Sequence, residues 1–349
     1  MTQSRIEAIG VHLPAEAVRT SSLVDRIQPE FRFDVERITG IRERRVHARS
    51  ETLFEDSASM AISAAKRCLS NSRYSADDLD VVISTSITRT TAGTKFCFEP
   101  GLSLFIRNAI EAEQATHFDV ANACAGMTTG LLILDRMIAT GAVRRGLVVS
   151  GEQITPIAET AISEISTSYD PQFASLTVGD AGAAVLLDDA GTADDGIHFV
   201  DMLTWADGAE LCIGMPSDKS QGIAMYSDNR AMQNEDRYLH AISRLRDVLA
   251  QRGSTFEAEG FDFIVHHQFG GPALDFINGL MAREFAVPQP VSLTTLESFG
   301  NTASTSHFVV LHEHLRRGSL PRGSKVLIVP SASGIVMGAI SATLTEVGV

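Results

Sequence analysis

The stretch His117-Phe118-Asp119-Val120-Ala121-Asn122-Ala123-Cys124-Ala125-Gly126-Met127-Thr128-Thr129-Gly130 constrains the chain more than any other. An alternating apolar run ends in a cluster of small residues, and Leu131, Leu132, Leu134, Met137 and Ile138 follow at helical spacing. The pattern reads as strand, tight turn and helix, with Cys124 at the turn. A thiol there meets the unpaired N–H groups and positive dipole end of a helix, which favours thiolate and nucleophilic attack. Ala123, Ala125 and Gly126 leave room for an electrophilic carbon to approach. The same pattern also fits an inert cysteine filling a strand–helix junction, so the partners must decide.

Around this stretch, β and α patterns alternate in both halves. Strands are expected at 5–13, 81–85 and 146–150, then at 197–204, 261–266, 291–293, 325–330 and 335–344. Helices are expected at 21–27, 52–70, 237–251, 272–285 and 302–316, with Pro100 starting one more that runs through Ile106. Residues 153–178 are polar without a clean period and read as a surface excursion, and 208–229 read as loop. The alternation points to two similar α/β units packed together, 1–190 and 191–349, with no linker between them. A chain of 349 residues fits one large or two coupled domains.

Composition excludes several function classes. No apolar run approaches the roughly 18 to 20 residues of a membrane span, and the N-terminus lacks a signal-peptide core, so a cytoplasmic chain without membrane partners is expected. Cys68, Cys97, Cys124 and Cys212 show no metal-ligand or disulfide spacing. His312-Glu313-His314 is not a zinc motif, so no metal is expected. A net charge of −14 argues against nucleic acid. Arg37, Arg42, Arg44, Arg45 and Arg49 form a basic run, as do Arg316, Arg317, Arg322 and Lys325. Such runs are either solvated faces or docking points for phosphates or an acidic carrier.

Two later stretches offer partners for the thiol. Val265-His266-His267-Gln268-Phe269-Gly270-Gly271 ends an apolar strand in histidines and a glycine turn, and Ser298-Phe299-Gly300-Asn301-Thr302-Ala303-Ser304 places Asn301 at a helix start. Alternation along a strand turns His266 away from His267. Taken alone, a strand-end histidine is also compatible with a structural role and Asn301 with a simple N-cap.

These three stretches in this order resemble the β-ketoacyl-acyl carrier protein synthase III family of the thiolase superfamily. Thr39-Gly40-Ile41-Arg42-Glu43-Arg44-Arg45 upstream and Gly179-Asp180-Ala181-Gly182-Ala183-Ala184 between them extend the likeness to essentially the whole chain. The resemblance implies an α/β fold with a thiolase-like duplicated βαβαβ core in five αβαβα layers, normally a homodimer. It implies that Cys124 accepts an acyl group from a coenzyme A or carrier-protein thioester, with no other cofactor. His267 and Asn301 then stabilise the enolate of a second thioester, and the backbone N–H groups of Cys124 and Gly334 form the oxyanion hole.

Phe98-Glu99-Pro100 resembles a subgroup that joins two acyl chains, the olefin-pathway thiolases and the pyrone- and dialkylresorcinol-forming ketosynthases. There the glutamate enters the partner subunit's site and removes a proton α to the thioester; the alternative for Glu99 is to stabilise a helix N-terminus. Arg37, Thr88 and Phe269 are the expected substrate contacts. The chain departs from the family pattern in three places: HQFG replaces HQAN, no tryptophan stands near Phe33, and the late glycine loop reads Ser331-Ala332-Ser333-Gly334. These departures favour a specialised condensation in lipid or polyketide-type secondary metabolism. Acyl transfer from Cys124 to an oxygen or nitrogen nucleophile, or a role as one subunit of a heteromeric synthase, are the alternatives.

Overall fold

In the computed structural model, which describes residues 2–50, 54–167 and 169–349, the chain forms two stacked sheets of the same topology. The first contains β1 (Arg5–His12), β2 (Val81–Ser84), β3 (Thr116–Asp119), β4 (Arg145–Glu152) and β5 (Ala181–Asp188). The second contains β6 (Gly196–Thr204), β7 (Phe263–His266), β8 (Val291–Ser292), β9 (Ser324–Val329) and β10 (Val336–Leu344). The spatial order is β1-β5-β4-β2-β3 in one and β6-β10-β9-β7-β8 in the other. In each, the first three strands pair antiparallel and the last three parallel. Shared order and shared strand direction establish the duplication that sequence alternation only suggests.

Helices α1 (Ser57–Asn71) and α2 (Leu102–Ala109) cover the outer face of the first sheet. The helix α3 (Gly126–Ala139) lies between the sheets, and α4 (Pro156–Glu164) flanks the site. Helices α5 (Glu235–Gln251) and α6 (Gly271–Phe285) cover the second sheet, while α7 (Ser306–Arg316) joins α3 in the middle layer, touching strands of both sheets. The largest apolar cluster fills this middle, with Met127, Leu131, Leu134, Phe308 and Leu311 meeting Val148, Val185, Val265 and Ile340. Strands covered on both faces need continuous apolar runs, as Val81–Ser84 shows. The result is five layers, αβαβα.

Several local expectations change. The helix expected from 52 starts at Ser57, where Asp56 and Ser59 form a reciprocal capping box; Thr52 itself lies outside the described residues. The 153–178 segment is not a surface excursion. It contains α4 and a 3-10 turn, Phe173–Thr177, and buries Ile162, Ile165 and Leu176 against Leu23, Ile27 and Val35. Its polar residues misled because they bond internally, as when Gln172 donates to Glu164 at 2.8 Å. Nor is 208–229 a plain loop, since Cys212–Pro216 and Ile223–Ser227 pair as a hairpin. Helix α2 begins after Pro100, at Leu102, because the Asp119 carboxylate accepts the N–H groups of Leu102 and Ser103 at 3.0 and 2.9 Å. Asn301 does not start α7 directly; a 3-10 turn, Ala303–Thr305, intervenes.

The basic runs are not free docking faces throughout. Arg44 is fully buried and donates to the carbonyls of Leu176 and Val178 and to Thr20 Oγ1. Burial lowers its pKa to about 10, so it stays charged at neutral pH. Arg42 pairs with Glu297 at 2.8 Å, and Arg316 and Arg317 both pair with Glu313.

Candidate active site

The duplication brings two equivalent turns together. After β3, a 3-10 turn at Ala123–Ala125 leads into α3; after β8, the turn at Ala303–Thr305 leads into α7. Ala123 and Ala303 both hold the left-handed region, at φ of +44° and +53°. Cys124 lies in the first turn and Asn301 just before the second, while His267 follows the end of β7. All three line one cavity of about 260 Å³, together with Phe269 and Cys212.

The small residues beside Cys124 serve packing more than access. A Cβ on Gly126 would stand 2.7 Å from the Thr85 carbonyl, and one on Gly130 would stand 2.6 Å from Val148 Cγ1. Only glycine lets the turn and the first turns of α3 press against β2 and β4.

Nor does the helix start yield a ready thiolate. Burial pushes the Cys124 thiol well above its ordinary range, and nearby Cys212 and Glu152 push it the same way. Glu152 is itself fully buried, raised by that burial, and accepts hydrogen bonds from the N–H groups of Ile87 and Thr88. The hydroxyls of Thr88, Ser150 and Ser304 also donate to it, ties that join the two halves below the nucleophile. Alkylation of Cys124 by iodoacetamide, followed by peptide mass, is therefore expected to accelerate about tenfold per pH unit between about pH 6 and 9. A plateau below neutrality would instead show a preformed thiolate.

His267 is buried, and its backbone N–H donates to the Val329 carbonyl at 3.1 Å. Its ring stacks on Phe269 at 6.0 Å and lies 5.8 Å from the ring of His307. Burial, with a smaller contribution from His307, lowers its pKa to about 3. A neutral imidazole offers one N–H and one lone pair, so His267 can donate to a developing oxyanion without carrying charge. Gln268 fixes the strand end, donating to the His266 carbonyl at 2.8 Å and accepting from Thr294 Oγ1 at 2.6 Å. His266 turns away as expected and pairs with Asn278 at 2.8 Å.

Asn301 is held from both sides. Its backbone N–H donates to the Thr177 carbonyl, and its carbonyl accepts from Gly179. Its side-chain Oδ1 accepts from the Ala303 N–H at 3.0 Å, which fixes the amide orientation and leaves the NH₂ as the donor end. Gly300 makes this possible at φ +65° and ψ −157°, a region essentially reserved for glycine. A Cβ there would also stand 2.6 Å from the Thr177 carbonyl. Gly300→Ala is expected to cost about 2–4 kcal/mol, read as a drop in melting temperature with a parallel loss of condensing rate.

The other expected site residues are placed unevenly. Phe269 lines the cavity. Arg37 is exposed near its rim, 3.7 Å from Asp34, while its neighbours Ile38 and Thr39 form the lining. Gly334 takes φ +80° between Ser333 and Ile335, both of which line the cavity. Thr88 stands outside the lining of this cavity, its hydroxyl donating to Glu152 at 3.0 Å. Glu99 is exposed and outside the cavity of its own chain, flanked by Phe96 and Phe98, which are 51% and 78% exposed. It does not cap α2, because Asp119 does. Sequence reasoning missed Cys212 and Glu152. The first sits in an unrecognised hairpin; the second, a charge at the end of an apolar strand, was a readable signal.

Residues 118–208 match the family model for 3-oxoacyl-[acyl-carrier-protein] synthase III, and residues 252–344 match the model of its C-terminal part. The β-ketoacyl-[acyl-carrier-protein] synthase III 1 of Bacillus cereus is 27% identical over 342 residues, covering 96% of this chain and 97% of the relative. The corresponding synthase of Methylococcus capsulatus is 28% identical over 349 residues, covering 96% and 97%. A crystal structure of a variant of OleA from Xanthomonas campestris, with bound lauric acid and lauroyl-CoA, aligns at a TM-score of 0.82 and 20% identity over 98% of this chain and 99% of that one. The 3-oxoacyl-[acyl-carrier-protein] synthase III of Aquifex aeolicus aligns at 0.77 and 22% identity, covering 97% and 99%.

Proposed function

The chain belongs to the 3-oxoacyl-[acyl-carrier-protein] synthase III family, and on that premise we propose that it joins two acyl thioesters by Claisen condensation without decarboxylation. It is an acyl-transferring condensing enzyme. The convergence of Cys124, a neutral His267 and the donor end of Asn301 on one cavity carries the condensing chemistry, and the exposed Glu99 carries the absence of decarboxylation.

Cys124 Sγ attacks the carbonyl of a first thioester and expels the coenzyme A or phosphopantetheine thiol, leaving an acyl-cysteine. The backbone N–H groups of Cys124 and Gly334 hold the tetrahedral oxyanion. A base removes a proton α to the second thioester, and His267 and Asn301 donate to the enolate oxygen. The carbanion attacks the acyl-cysteine, the Cys124 thiolate leaves, and a β-ketoacyl thioester remains. No further cofactor is required by these steps. Glu99 is the base, delivered by a second copy of the chain: its own cavity lies elsewhere, and exposed Phe96 and Phe98 beside it suit a homodimer contact. A cytoplasmic setting, where acyl-coenzyme A and acyl carrier proteins circulate, goes with this assignment.

Product analysis with a saturated acyl-coenzyme A as sole substrate tests the proposal. A β-keto product from wild type, lost in Glu99→Gln while acyl-Cys124 still forms, supports it. Product only with a malonyl thioester, with carbon dioxide released, would move the chain to decarboxylative condensation.

A further inference from the structure

Behind His267 lies a second, smaller cavity of about 50 Å³, between β7, β9 and β10 on one side and α5 and α6 on the other. Ile242 and Leu245 from α5 and Ile277 and Met281 from α6 form its far wall, all buried in the outer apolar cluster of the second sheet. Its near wall is shared: Tyr238, His267, Phe269, Ser331 and Met337 line both this cavity and the one that holds Cys124. Only a layer one side chain thick separates them.

The chemistry of this space selects hydrocarbon. Among the described residues, no carboxylate, lysine or arginine lines it. The imidazole of His266 is neutral, its pKa lowered by burial to about 4, and is already paired with Asn278. Burial raises the Tyr238 phenol to about 12, so it too stays neutral. The cavity's lining is mainly apolar, and such a lining favours apolar groups over water, which needs about two to four polar partners. Protein interiors seldom leave such space unfilled.

Phe269 is the movable part of the shared wall. It is half-buried, stacks on His267 at 6.0 Å and lies at the edge of the outer apolar cluster of the second sheet rather than inside it. The chain after it is uncrowded: a Cβ on Gly270 would meet nothing within 4 Å, and one on Gly271 only the Thr39 carbonyl at 3.6 Å. Tyr238, by contrast, is anchored in α5 and packs edge-on against Phe276 at 6.4 Å.

Resting on the condensing reading above, we infer that Phe269 is a gate between the Cys124 cavity and this apolar chamber, and that the chamber takes the distal methylenes of an acyl chain. Phe269 thereby sets the chain length that the enzyme accepts. The ring blocks short chains from the chamber at no cost to them, while a long chain displaces it and gains the apolar contacts behind.

Acylation of Cys124, followed by intact-protein mass over a homologous series of saturated acyl-coenzyme A thioesters, tests the gate in wild type, Phe269→Ala and Ile277→Phe. Opening the gate in Phe269→Ala is expected to raise kcat/KM for long relative to short chains by about fourfold per methylene that reaches the chamber. Filling the chamber in Ile277→Phe is expected to lower the same ratio while acylation by the shortest thioester is kept. A merely structural role for Phe269 would slow all chain lengths alike, and an unchanged length profile in both variants, with adducts still forming, overturns the gate alone. Absence of any adduct in wild type overturns the condensing reading and the gate with it.

Discussion

Cys124→Ala is expected to abolish the acyl-enzyme adduct with every thioester and to lower condensation by about 10⁴–10⁶-fold. The change removes the only sulfur among the three groups that converge on the cavity, Cys124 and Asn301 from the duplicated turns and His267 from the end of β7. Cys212 lines the same cavity, but burial raises its thiol too, against the smaller opposing effect of Ser333 and Ser227, and it stands on a hairpin strand away from the turn at Ala123–Ala125, so it does not substitute. Folding should be spared, because alanine keeps the Cβ and the backbone of the 3-10 turn. The informative partner is Asn301→Ala. It is expected to leave the adduct intact while lowering condensation about 10²–10³-fold, the usual loss for one oxyanion donor. Retention of full transfer without Asn301 would favour delivery to an oxygen or nitrogen nucleophile, where no enolate needs stabilising. Full condensing activity in Cys124→Ala would end the covalent scheme altogether.

What was legible in the sequence follows from what local patterns encode. The β2 run Val81-Val82-Ile83 and the strand-to-small-residue break before Cys124 carry their own signals, because two-sided burial and tight turns restrict residue type. The motif around Asn301 was legible as a position but not as an orientation: that Oδ1 is taken by Ala303 depends on a turn with Ala303 at positive φ, which no alanine announces. The thiolate expected at Cys124 failed for a long-range reason. A helix start acts within one turn, whereas burial dominates here, and Glu152 and Cys212, distant in sequence, add to it by disfavouring a nearby negative charge. Likewise Arg44 reads as one more surface arginine, yet carbonyls of Leu176 and Val178 receive it in the interior. Segment 153–178 was misjudged because its Ser and Thr side chains bond inward, which mimics a solvated composition.

The chain is expected to unfold cooperatively between about pH 5.5 and 4, and the cause lies beside the active site. His266, His267 and His307 are buried, and burial lowers their pKa values to about 4, 3 and 4 from the ordinary 6.5. Below about pH 6.5 the unfolded chain binds protons that the folded chain refuses, so stability falls as pH falls through that window. Near pH 5 each histidine costs about 2 kcal/mol, and three together reach the roughly 5–15 kcal/mol that holds a domain folded. Glu152 opposes them: its pKa is raised by burial, so the folded state takes up its proton first as pH drops. Carboxylates with lowered values, such as Glu313, lose their contribution only below about pH 4.5 and do not set the onset. Trp205, the single tryptophan, packs into the outer cluster of the second sheet and reports the transition by fluorescence, with far-ultraviolet circular dichroism as the second probe. His307→Gln keeps a donor toward the Val329 carbonyl without a titrating ring, and should move the midpoint down by about half a pH unit. An unchanged midpoint in that variant would remove the histidines as the cause. Because His267 stays neutral throughout the folded range, the acid limb of condensing activity should coincide with this unfolding curve rather than precede it. An acid limb centred near pH 6.5 in a chain still folded would mean that His267 titrates in place, and that it acts as an acid–base group rather than as a neutral donor.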